Sequence, residues 1–187
     1  HLDFNELLSD NEGVALFSGT VYGLFGQLFD KGKFSEIDEL YSKLKSRYKD
    51  RFYIEIQRHK DQNESGLEKF NLTKSLELEI PLIATNEVFY LNKDMHEAHD
   101  ALICIKNKTY ITEKNRIRLS DQHYFKNNSE MAKLFVDLPE ALENNYNFPF
   151  RCSFRPLFSK PNLPNISSEK GGNADEILKK ESLEGQT

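Results

Sequence analysis

Glu55, Gln57 and His59 fall two apart along Arg51-Phe52-Tyr53-Ile54-Glu55-Ile56-Gln57-Arg58-His59. Side chains alternate along a strand, so these three share one face while Phe52, Ile54 and Ile56 take the other. A carboxylate, an amide and an imidazole then gather near the C-terminal end of the strand, where β/α proteins place their chemistry. A second polar group, Thr85-Asn86-Glu87, follows the apolar run Ile80-Pro81-Leu82-Ile83-Ala84 in the same way. His96 and His99 are three apart on a predicted helix. Lacking acidic partners, they read as a surface residue and a helix-packing residue paired with Asp100 or a backbone carbonyl. His123 falls in a loop and is expected to be solvated.

Gly19, Gly23 and Gly26 have neither a Lys-Ser/Thr ending nor Gly-x-Gly-x-x-Gly spacing, so they read as close-packing positions rather than a phosphate cradle. Cys104 and Cys152 have no Cys-x-x-Cys spacing and read as reduced thiols. Cys104 lies on an apolar helical face, and no Cys/His or Ser/His/Asp arrangement is supported.

The elements that must position these groups alternate. A helix ending near Ser9 is stopped by Ser9-Asp10-Asn11-Glu12-Gly13. Val14-Ala15-Leu16-Phe17 reads as a buried strand, and Gly23 to Phe29 as a short helix closed by Lys31-Gly32. Ser35, with Asp38 three residues on, is expected to cap a helix carrying Ile37, Leu40, Tyr41, Leu44 and Tyr48. After the strand at Phe52, the residues Leu67, Phe70, Leu72, Leu76 and Leu78 predict a helical face. The strand at Ile80 leads to a helix capped by Asn92, with Ala98, Leu102 and Ile105 in helical series. This β-α-β-α-β-α order predicts an α/β fold with parallel strands and right-handed crossover helices, as a sheet or a partial barrel.

Lys106 to Asp121 is charged and predicts a surface excursion anchored by Tyr110 and Ile111. Asn128 or Ser129 should cap a helix with Met131, Leu134 and Phe135, and Pro139 suits the first turn of another. Phe148 to Ile166 carries Pro149, Pro156, Pro161 and Pro164 and reads as an extended linker or wrapping arm. One more helix begins at Asn173.

Composition narrows the function. A net charge of -5 and a pI near 5.6 argue against an independent nucleic-acid binder held by phosphate contacts. No run approaches the ~18 apolar residues of a membrane span, and no signal pattern opens the chain, so a soluble, cytoplasmic protein is expected. The chain begins without methionine and already in helical rhythm, which reads as a fragment.

Leu82-Ile83-Ala84-Thr85-Asn86-Glu87-Val88-Phe89-Tyr90, followed by Ala98 to Ile105, resembles the C-family replicative DNA polymerases, the alpha subunits of bacterial DNA polymerase III. More narrowly, it is similar to the second half of their PHP (polymerase and histidinol phosphatase) domain. Phe52 to His59 resembles the preceding strand of that family. Ser129-Glu130-Met131, with Phe135, Asp137 and Pro139-Glu140-Ala141, resembles its helical pair, and Leu163-Pro164 the passage toward the polymerase palm. The resemblance implies an incomplete, distorted β/α barrel over 1–147, a Pro-rich arm over 148–172, and the start of the palm-side region over 173–187.

In metal-competent members the strand ends hold a multi-metal hydrolytic site built from several His and Asp/Glu donors. Their opening His-x-His is missing here, and the elbow has Glu87 and Phe89 where they resemble aspartate and histidine. Glu55, His59 and Glu87 are therefore the candidates for a vestigial pocket, with no metal expected and no catalytic or cofactor-binding residue in this segment. The parent polymerase is expected to use magnesium at carboxylates outside this chain. The implied role is a scaffold and docking surface for a proofreading exonuclease, reaching DNA only through the rest of the alpha chain, with no membrane partner. The alternative is a metal-dependent phosphoesterase or proofreading exonuclease. A barrel lacking its first strands is expected to expose two sheet edges, leaving the piece marginal or self-associating.

Overall fold

The computed structural model describes residues 3–9, 11–161 and 174–185. It divides into two compact units, His1–Cys152 and Ser153–Thr187. In chain order the first holds α1 (Phe4–Ser9), β1 (Leu16–Phe17), α2 (Leu24–Asp30), α3 (Phe34–Tyr48), β2 (Phe52–Ile56), α4 (Glu64–Leu78), β3 (Leu82–Ala84), α5 (His96–Asn107), α6 (Asn128–Leu134) and α7 (Pro139–Asn147). Single 3-10 turns follow α3, precede α5 and follow α7.

The three strands form a parallel sheet in the order β1-β2-β3, with Leu16 opposite Phe52 and Ile54 opposite Leu82. The β-α-β alternation of the sequence is therefore present, as a mixed helix and sheet fold. The face of β2 that carries Phe52, Ile54 and Ile56 enters the core with Ile37, Tyr41, Leu44 and Tyr48 of α3, Phe25 and Leu28 of α2, and Phe135, Leu138 and Ala141. Gly26 is a close-packing position: a Cβ there would come within 2.1 Å of the Val21 carbonyl oxygen.

Several local expectations are corrected by tertiary partners. α3 begins at Phe34, before Ser35, and Lys33 at its cap pairs with Glu36 at 2.8 Å. Phe34 is drawn into the helix by its ring contacts with Phe29 and Phe70. On α4, Leu76 is 83% exposed, and the buried residues are Leu67 and Asn71. Asn71 is inside because the buried Tyr41 hydroxyl needs an acceptor, and donates to its Oδ1 at 2.9 Å. α6 is capped one residue before the expected pair, by Asn127 in a reciprocal capping box with Glu130. Pro139 opens α7 as predicted. The excursion expected over 106–121 is present as a loop over 108–127, with Lys106 and Asn107 still in α5, and Tyr110 and Ile111 are exposed rather than anchoring it. Its anchor is electrostatic: Arg116 grips the buried Asp100 of α5 at 2.5 and 2.6 Å.

The outer edge of β3 is not left bare. Asn144 and Asn145 of α7 donate their side-chain amides to the carbonyls of Leu82 and Ala84, each at 2.7 Å. Helix side chains thus satisfy edge acceptors that would otherwise seek another strand. Arg58, just past β2, binds Glu68 of α4 at 2.5 Å, Asp137 at 2.6 Å and the Leu134 carbonyl at 2.6 Å, with its guanidinium over the Phe135 ring.

In the second unit, residues 153–161 have no regular secondary structure, and α8 spans Ala174–Glu184. The rest of the Pro-rich stretch, 162–166, and Asn173 lie outside the described residues. Among the described residues no helix is long and apolar enough to cross a membrane.

Arg58→Ala removes one partner from two carboxylates and a carbonyl at once, so it should destabilise the chain by about 3 kcal/mol in urea denaturation. A loss below about 0.5 kcal/mol, the size of an ordinary surface change, would contradict this account.

Candidate functional site

Two polar clusters form at the C-terminal ends of β2 and β3, and they divide the residues that the strand pattern placed on one face. Glu55 and Gln57 stay together. Gln57 Nε2 donates to Glu55 Oε1 at 3.1 Å and to Thr85 Oγ1 at 2.9 Å, and the Thr85 hydroxyl donates to the same Glu55 oxygen. The Glu55 amide donates to Ser18 Oγ at 3.0 Å, which extends the network to the end of β1. Glu55 is thus a cross-strand tie. It borders a narrow cleft whose lining includes Thr20, Tyr22, Asp61 and Glu64. Although the Tyr22 side chain is largely exposed, desolvation at its hydroxyl end and the nearby Asp61 push the phenol up to about 12.

His59 lies three residues beyond the end of β2 and turns into a different group. Only 1% of it is exposed, and its ring stacks on His123 with centroids 4.1 Å apart and planes 5° from parallel. His123, expected in solvent, has no exposed surface at all. The sequence shows it in a charged loop, and nothing local marks it. It is buried because it closes the strand ends: its carbonyl accepts the amides of Phe89 at 2.9 Å and Tyr90 at 3.4 Å.

Carboxylates flank the stack on both sides. Asp61 Oδ2 lies 3.1 Å from His123 Nε2, and Glu64 Oε1 lies 3.4 Å from His59 Nδ1. The amides of His59 and Lys60 donate to Glu64 at 2.8 and 2.7 Å. Burial pushes Glu64 upward, but these hydrogen bonds outweigh it and hold the carboxyl below its ordinary range. Glu87 contributes mainly backbone. Its amide donates to His59 Nε2 at 3.2 Å, and its carbonyl lies 3.2 Å from His123 Nδ1. Its side chain is partly exposed and reaches only 4.0 Å from His123. Lys126 is buried beside Asn86, with Nζ 3.1 Å from Asn86 Oδ1, and burial lowers its ammonium below the usual lysine range. Phe89 stacks on His99 and leans on His123, each at 5.2 Å. His96 bonds the Leu119 carbonyl at 3.0 Å, so of the two helix histidines it is the one with a carbonyl partner.

One donor atom each from His59, Asp61 and His123 lies within 4.8 Å of the others. Those residue types suit zinc or another transition ion, which binds an imidazole along its lone pair, in the ring plane. The stack opposes this. Two parallel rings hold their lone pairs in two separate planes, and no ion can lie in both until one ring rotates. His59 is engaged at both nitrogens as well: Nδ1 lies 3.4 Å from Glu64, and Nε2 meets Asn86 Oδ1 at 3.1 Å and the Glu87 amide at 3.2 Å. As arranged, the cluster is a hydrogen-bonded lining and not a ready ligand set. Asp61 and His123 complete it, and neither stood among the candidates Glu55, His59 and Glu87.

His123 titrates in a definite sense. Both His123 nitrogens face oxygen atoms, which favours the imidazolium. Burial first, and then His59, oppose it and hold His123 below the usual imidazole range. The unfolded chain therefore binds this proton at higher pH than the folded one. Stability should be full above about pH 6.5 and fall as pH drops from there toward the folded value. Urea denaturation at about pH 7.5 and about pH 5.5, on either side of the ordinary imidazole value, should show that fall, and His123→Phe, less stable overall, should show a flatter one. Equal slopes in the two proteins would contradict the assignment.

No family model matches the chain. It is 35% identical over 175 residues to the DNA polymerase III subunit alpha of Caulobacter vibrioides, covering 94% of this chain and 15% of that protein. It is 36% identical to the same subunit of Rickettsia conorii, over 99% of this chain and 16% of the relative. For Pseudomonas aeruginosa the identity is 32%, over 93% and 15%. The chain is thus related to the DNA polymerase III alpha subunits along nearly its whole length, and it spans about 15% of the length of these curated relatives.

Proposed function

We propose that the chain is a segment of the alpha subunit of a replicative DNA polymerase, and that it acts there as a scaffold rather than a catalyst. The observation that carries this is the similarity over nearly the whole chain to one segment of much longer alpha subunits. On this reading residues 1–147 are the C-terminal part of a PHP domain of distorted β/α barrel type. Residues 148–172 are an arm, and 173–187 open the palm-side region. DNA synthesis, with magnesium, belongs to the remainder of the polypeptide, which would work in the cytoplasm and reach DNA through its other domains. The segment offers a surface to a proofreading exonuclease.

The geometry of the strand ends supports a structural role. Glu55 is engaged by Thr85 and Gln57. The His59–His123 stack is engaged by Asp61, Glu64 and the backbone of Glu87. Phe89 supplies a ring face and no lone pair. These polar groups hold β2, β3 and the 108–127 loop together.

The second reading, a metal-dependent phosphoesterase, is favoured by one observation: the donors of His59, Asp61 and His123 lie close enough to be drawn around an ion. The complete polypeptide separates the two. The scaffold reading expects DNA synthesis with no chelator-sensitive phosphoesterase activity, and synthesis that survives His59→Gln in proportion to the folded protein recovered. Near-stoichiometric zinc or manganese, together with a phosphoesterase activity abolished by His59→Gln, would establish the rival.

A further inference from the structure

α5 is held to its unit by polar pins. Asp100 grips Arg116, His96 bonds the Leu119 carbonyl, and His99 stacks on Phe89. Its inward side presents Asp100 and Cys104, and none of its residues joins the hydrophobic core. The opposite side is the apolar one. Leu102 is 62% and Ile105 72% exposed, and Met95 and Ala98 continue the same row toward the N-terminus. Leu91 and Val88, on the preceding elbow, are also exposed.

The row Met95, Ala98, Leu102, Ile105 steps by three, four and three residues. That is the spacing of a seam between two helices, and it leaves a small residue where close approach needs one. A single helix facing water gains nothing from such a row, whereas a second helix laid along it buries all four positions. The flanking charges give the direction. Asp94 and Glu97 stand at the N-terminal end of the row, and Lys106 and Lys108 at the C-terminal end. A partner helix with the usual polarity, acidic first and basic last, complements these charges only when it runs antiparallel.

We propose that this face of α5 is covered, in the complete polypeptide, by an antiparallel amphipathic helix contributed by the same chain from outside this segment. The occupant is assigned to the same chain because this segment makes up about 15% of its relatives, so most of the polypeptide lies elsewhere and is permanently tethered nearby. The inference rests on the reading of the chain as a segment of an alpha subunit.

The test uses the complete polypeptide carrying Leu102→Cys or, separately, Ala98→Cys, with maleimide labelling followed at that position by peptide mass spectrometry. Labelling of the native protein should be at least about tenfold slower than in denaturant, and the protection should not depend on protein concentration. Labelling as fast as in denaturant overturns the proposal. Protection that appears only at high concentration points to a second copy, and protection that needs an added protein points to a separate subunit. Either result overturns it as well. DNA synthesis is measured on the same preparations: its absence sinks the polymerase reading, whereas intact synthesis with open labelling of the introduced thiol sinks the docking alone.

Discussion

Arg58 is the constraint on which the rest of the first unit depends. It leaves the end of β2 at the point where the sheet must be joined to α4 on one side and to the α6–α7 pair on the other. Its planar guanidinium meets Glu68, Asp137 and the Leu134 carbonyl at once and lies over Phe135. A lysine could not do this, because a point charge on a flexible stem lacks the rigid fork that serves several acceptors in one plane. With Arg58 in place, Phe135, Leu138 and Ala141 are delivered to the apolar face of β2 and β3. α7 then comes close enough for Asn144 and Asn145 to close the edge of β3.

The same economy of polar partners explains the strand ends. Three parallel strands converge on carbonyls and amides that need satisfaction, and side chains meet much of that need. Ser18, Glu55, Gln57 and Thr85 tie the strands to one another. The His59–His123 stack ties the sheet to the long loop, with Asp61 and Glu64 balancing the rings. Here the histidine nitrogens and carboxylate oxygens serve cohesion between the sheet and the loop. Phe89 adds to that cohesion, its ring packing against two imidazoles.

α5 shows the reverse allocation. Its inward contacts are charged and aromatic while its apolar row is turned outward, an arrangement that an isolated small domain has no reason to keep. Specific polar pins fix the orientation of the helix, and the apolar face is left open for the antiparallel helix proposed above.

The sequence by itself determined the order of strands and helices, the apolar face of β2, the buried face of α3 and the Pro139 start of α7, because each is written in local periodicity or in the conformational limits of one residue type. It also carried the likeness to the polymerase alpha subunits, which lives in residue order. Only the tertiary structure decided which helical faces count. Asn71 is buried for the sake of the Tyr41 hydroxyl, while Leu76, Leu102 and Ile105, apolar and regularly spaced, stay outside. It alone brought His123 to His59 and Asp61, across 62 residues of chain from the latter. It alone split Glu55 from His59 beyond the end of the strand. Spacing fixes which side chains can share a face. Whether that face is buried, and what satisfies its polar atoms, depends on groups that arrive from distant parts of the chain, and no local pattern encodes them.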